Sequence, residues 1–155
     1  ADTYDTTTAR AVDCNDRVVT EFVKWCQRQD FYENTTIVVT GDHPRMDGSL
    51  VDGVSYYDRT VYDCFINPAK TWVRDEKSRS FTAMDMFPTI LSALGFDIEG
   101  DRLGLGTDLF SNTETLLERK GFDWLNRELG KRSDYYTEQF VNPPAAGTAA
   151  SRSGE

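Results

Sequence analysis

Gly41-Asp42-His43 sets a carboxylate and an imidazole side by side, directly after a residue with no side chain. Both are ligands for a divalent cation, the carboxylate through oxygen and the neutral imidazole through nitrogen. Two donors do not complete a coordination shell. His43 is the only histidine in the chain, so any further ligand from this stretch must be a carboxylate, and Asp47, Asp52 and Asp58 are the nearest. The same spacing also fits a plain turn, in which Asp42 caps backbone N–H groups and His43 stays half exposed. Arg45 adds a guanidinium two positions on. Its paired donors suit a phosphate oxygen, and they equally suit an exposed ion pair with Asp47 or Asp52.

The elements that must position these residues follow from the apolar pattern. Ile37, Val38 and Val39 are β-branched and uninterrupted by charge, which predicts a strand over Thr36 to Thr40 covered on both faces in a parallel sheet. Gly41 then lets the backbone turn without a Cβ penalty. Ligands of open α/β sheets bind beyond the carboxyl ends of the strands, so this strand would deliver Asp42 and His43 to such a crevice. Upstream, Val12, Val19, Phe22, Val23 and Cys26 recur at helical spacing between Thr8 and Arg28, which predicts an amphipathic helix lying against the sheet. The helix-to-strand step reads as half of a βαβ unit.

Arg59 to Ile66 is the second predicted strand, closed by Asn67-Pro68. Lys70 to Arg79 is a charged connection in which Trp72 and Val73 are the expected anchors. Thr82 to Asp85 has capping-box spacing ahead of an apolar stripe of Met84, Phe87, Ile90, Leu91 and Leu94, with Gly95 as the stop and Pro88 tolerable in the first turns. Glycines 100, 104 and 106 predict a loop that lacks the lysine of a phosphate loop. Ser111 with Glu114 has a second capping-box spacing, and helices are expected over Phe122 to Leu129 and Ser133 to Val141. Residues 1–141 read as one portion of a domain, and 142–155, rich in Pro, Ala, Gly, Thr and Ser, as a disordered tail.

Composition removes several classes of function. The 155 residues carry 17 basic against 26 acidic side chains, a net charge of −9, which argues against nucleic acid and against peripheral docking on anionic lipid. No run of apolar residues is long enough to span a bilayer, and the segment does not open with a charged-then-apolar leader, so any anchor or export signal of a parent protein is expected elsewhere. Cys14, Cys26 and Cys64 show no C-x-x-C spacing, which excludes zinc ribbons and thioredoxin-like redox chemistry. Cys14 and Cys26 on one helix would lie about 18 Å apart, beyond disulfide reach. Asn34-Thr35-Thr36 has the glycosylation pattern, a weak signal, and the asparagine is better read as serving the turn into the strand.

The motifs also carry a resemblance. Asn34 to His43 is similar to the D-N-T-I-I-V-x-x-G-D-H signature of the alkaline phosphatase and sulfatase superfamily. Three further runs, Tyr62 to Pro68, Phe81 to Leu91 and Arg102 to Phe110, resemble in order the C-terminal part of membrane-bound phosphoglycerol transferases similar to lipoteichoic acid synthase. The resemblance spans about residues 10 to 140 and implies part of a sulfatase-like α/β sandwich, with a largely parallel sheet flanked by helices. It implies one divalent cation, Mn2+ or Mg2+, with Asp42 and His43 among its ligands, and a threonine nucleophile upstream of residue 1. The implied donor is a glycerophospholipid head group of phosphatidylglycerol type and the acceptor a glycerol or glycan hydroxyl, at the extracytoplasmic face of a membrane. A sulfatase or phosphodiesterase of the same superfamily, or a non-catalytic α/β module, are the competing readings.

Overall fold

The structure, a computed structural model, describes residues 6–44, 53–55, 58–75 and 78–142. The chain is mixed α/β, as expected, with two small sheets. Helix α1 (Thr7–Cys26) is capped by the Thr6 hydroxyl, which accepts from the Ala9 N–H at 3.1 Å. Strands β1 (Ile37–Thr40) and β2 (Asp63–Ile66) follow, then helix α2 (Ala83–Ala93). A two-residue hairpin, β3 (Arg102–Leu103) with β4 (Gly106–Thr107), precedes the short helices α3 (Leu116–Lys120), α4 (Phe122–Leu129) and α5 (Asp134–Tyr136). The expected tail lies outside the described residues from 143 on.

The sheet departs from expectation. β1 and β2 pair antiparallel, with Ile37 opposite Ile66 and Thr40 opposite Asp63. The reason lies in the connection: parallel neighbours need a crossover, usually helical, and residues 41–62 hold no α-helix among those described. The strands are half-buried and not covered on both faces. The cover over α1 is slighter than expected. Within α1 only Cys26 is buried, while Val12, Val19, Phe22 and Trp25 stay exposed, because two four-residue strands cannot cover a twenty-residue helix.

The densest packing is between α2 and the β3–β4 hairpin. Thr82 and Asp85 form the expected capping box, and Gly95, at φ +91°, ends the helix while Phe96 donates back to Leu91. Asp85 does more than cap. Its other oxygen, Oδ1, accepts the Thr107 N–H at 2.8 Å, and one turn on, the Thr89 hydroxyl accepts the Leu109 N–H at 3.0 Å. Pro88 has no N–H to give the Met84 carbonyl. Gly106 lies directly against that carbonyl, where a Cβ would collide with its oxygen. What composition suggests is a loop is therefore a hairpin fastened to a helix by side-chain-to-backbone hydrogen bonds.

Arg79 makes a second fastening. Its guanidinium, 1% exposed, donates to Glu118 and to the carbonyls of Leu109, Ser111 and Thr113. Glu118 also completes a capping box with Thr115 at the start of α3, where Ser111 and Glu114 had the expected spacing. Burial alone would push the Glu118 carboxyl up, but Arg79 together with the Thr115 and Ser80 N–H groups outweighs it and holds the group below its ordinary 4.5. A carboxyl lowered in the folded state adds stability above its unfolded value and loses it as the pH falls through the folded one. Urea unfolding of the wild type should therefore weaken from about pH 5 to pH 3 more steeply than that of Glu118→Gln. Equal slopes would show that the pair is not ionised in the fold.

The sheet is joined to this unit at one end. The Thr36 hydroxyl lies 3.2 Å from the Ala93 carbonyl, and the Ala69 N–H donates to the same oxygen at 2.7 Å. Asn67, in the left-handed region at φ +55°, donates to the carbonyls of Tyr32 and Thr35. Trp72 stacks on Phe110 at 4.0 Å between ring centres and is the anchor of its segment, whereas Val73 is exposed.

Candidate functional site

β1 ends where the chemistry-bearing residues begin. The Gly41 N–H donates to the Tyr62 carbonyl at 3.0 Å, carrying the antiparallel pairing one step past Thr40. Gly41 is required by a close approach and not by a left-handed φ, since a Cβ there would lie 2.9 Å from Cβ of Val61. Beyond it, Asp42 and His43 line an open groove of about 680 Å³. Arg59, Thr60, Val61 and Asp63 also line it, as do Ser80, Phe81 and Thr82, which lead into α2.

The two side chains form a defined pair. Asp42 Oδ1 accepts the His43 N–H at 2.9 Å, and Asp42 Oδ2 lies 3.4 Å from His43 Nε2. His43 Nδ1 is 2.9 Å from the Pro44 carbonyl oxygen. A carbonyl only accepts, so Nδ1 is the donor in that contact. The distance between Oδ2 and Nε2 suits an ion pair where Nε2 carries a proton and two neighbouring ligands where it does not. Their 3.4 Å separation is that of two neighbouring ligands each about 2.1 Å from one cation. The donor set thus fits a divalent ion, with oxygen and imidazole nitrogen as ligands and a backbone carbonyl fixing the tautomer. Both side chains are well exposed, at 87% and 59%, so they meet solvent and not the core.

No group of three or more His, Cys, Asp or Glu suited to a metal forms among the described residues. Asp58 is described and does not join Asp42 and His43 in such a group. Asp47, Asp52 and Arg45 lie outside the described residues.

The groove also contains residues that the apolar pattern assigns to strand interiors. Thr40 donates its hydroxyl to Asp63 Oδ1 at 2.5 Å across the β1–β2 register, and Arg59 lies on the same wall. Only the antiparallel register brings Asp63 next to the end of β1, and no local spacing signals it. Arg79 also reaches the groove, but its donors are taken by Glu118 and three carbonyls.

Comparison with known proteins adds one match. The family model described as Sulfatase matches residues 2–96, more than half of the chain, from the start of α1 to just past the stop of α2. No curated protein and no solved structure matches.

Proposed function

The chain belongs to the sulfatase family, within the alkaline phosphatase and sulfatase superfamily, and from that premise we propose that it is part of a metal-dependent phosphoglycerol transferase. The observation that carries the metal assignment is the convergence of Asp42 Oδ2 and His43 Nε2 at the end of β1. In this reading Asp42 and His43 hold one Mn2+ or Mg2+ ion, and Arg45 meets a phosphoryl oxygen of the donor. Bound there, the cation would acidify an attacking hydroxyl and offset charge growing on phosphoryl oxygens. The chain's own part is to set the Asp42 carboxylate and the His43 ring side by side at the end of β1, with the Pro44 carbonyl against Nδ1. The threonine nucleophile and the remaining ligands come from polypeptide outside these residues, so the 155 residues alone should bind the ion weakly and transfer no glycerophosphate.

The transferase reading rests on the Phe81 to Leu91 and Arg102 to Phe110 runs, whereas the family match alone favours a sulfuric or phosphoric ester without choosing. The complete protein with Mn2+ should release diacylglycerol from phosphatidylglycerol and leave an aryl sulfate intact. Sulfate release without diacylglycerol would assign the groove to a sulfatase.

A further inference from the structure

A second cavity adjoins the groove. It measures about 260 Å³, and Cys64, Phe65, Trp72, Phe81 and Leu109 line it together with Asp63 and Arg79. Asp63, Arg79 and Phe81 line the groove as well, so the two spaces meet along one wall. We propose that this cavity is an apolar subsite that takes up a segment of alkyl chain from the ester whose charged head lies at Asp42 and His43.

The residues that belong to the cavity alone, Cys64, Phe65, Trp72 and Leu109, are apolar, and its charged residues, Asp63 and Arg79, lie on the wall shared with the groove. The groove carries Asp42 and His43 at the strand end and apolar side chains, Val61, Met86 and Leu117, elsewhere. An amphiphile with an anionic head and an apolar tail is the ligand whose two ends match these neighbours. The volume, just below the roughly 300 Å³ at which ligand sites begin, suits part of a molecule and not a whole one. Ring geometry favours a chain over a planar group. Phe65 stands edge-on to Trp72 and to Phe110, at 79° and 82°, and the one stacked pair, Trp72 with Phe110, is already closed on itself at 4.0 Å. No parallel pair of faces is left open among these rings to sandwich an aromatic ligand.

That the chain belongs to the substrate rests on the transferase reading; the affinity of the cavity for an alkyl chain does not, and the test separates them. In a Trp25→Phe, Trp124→Phe background Trp72 is the remaining one of the three tryptophans. Its fluorescence is followed against 12-bromododecanol, 12-bromododecyl phosphate and a bromonaphthol, all below micelle formation. Bromododecanol should quench saturably. Cys64→Leu, which narrows the cavity, and Phe81→Ala, which removes a wall, should each weaken that binding about tenfold, the worth of roughly two buried methylenes. Asp42→Ala should leave it unchanged. Quenching that never saturates, that both cavity variants leave intact, or that is stronger with bromonaphthol would overturn the proposal. Mn2+ should tighten the phosphate probe only where Asp42 is present. If it does not while bromododecanol still binds, the metal reading fails and the alkyl subsite stands.

Discussion

Alanine at Asp42 or at His43 in the complete protein is expected to lower turnover by roughly a thousandfold or more, while leaving the unfolding free energy within about 0.5 kcal/mol of wild type. The two halves of this expectation have separate causes. In the proposed site each side chain supplies one of two donor atoms 3.4 Å apart, so either loss would leave a single ligand from this segment for the cation. The charge compensation that the cation gives a phosphoryl centre is worth several kcal/mol, which corresponds to that loss of rate. The fold, in contrast, uses neither side chain in its core, since both stand in solvent at the strand end. The measurement is diacylglycerol release from phosphatidylglycerol with added Mn2+, paired with urea unfolding of each variant. Near-normal turnover in both variants would sink the assignment of Asp42 and His43 as ligands. Lost turnover together with lost stability would make them structural.

Arg79→Ala is expected to have the opposite signature, a stability loss of about 3–5 kcal/mol, enough to unfold much of a marginally stable domain. The guanidinium is almost wholly buried, and removing it leaves the Glu118 carboxylate, itself only 11% exposed, with the Arg74 guanidinium at 3.6 Å to offset its charge and little access to water. The carbonyls of Leu109, Ser111 and Thr113 lose their donor in the same step. Arg79→Lys should recover only part of the loss, because a single ammonium cannot reach four acceptors that a planar fork meets together. Urea unfolding of Arg79→Ala, Glu118→Gln and the double variant gives the coupling directly. A loss below about 1 kcal/mol for Arg79→Ala would mean that water replaces the arginine and that the cluster is not a closed joint.

The contrast between these two expectations marks what can be read along a sequence and what cannot. The strand at Ile37 to Thr40, the helix at Ala83 to Ala93 with its Thr82–Asp85 box and Gly95 stop, and the helix at Phe122 to Leu129 all announce themselves through neighbours within a few positions. So does the Asp42–His43 pair, whose geometry is set by adjacent residues and by Pro44. Interactions between distant segments leave no such mark. The antiparallel register that puts Asp63 beside Thr40 depends on how the chain between them returns, and the apolar periodicity of α1 records a face without saying what covers it. Arg79 reads as one more charge in a charged connection, although it is the most deeply held cation among the described residues. At Thr115 and Glu118, two equally spaced pairs compete for one helix start, and the pair that Arg79 can grip prevails.

The interlock of α2 with the β3–β4 hairpin has a consequence for inheritance. Asp85 holds Thr107, Thr89 holds Leu109, and Gly106 fits against the Met84 carbonyl, to which Pro88 has no N–H to donate. Neither stretch can drift alone, because a side chain gained at position 106 would have to be answered by a shift of the helix backbone at Met84. Descendants of this chain should therefore keep or lose the two runs together.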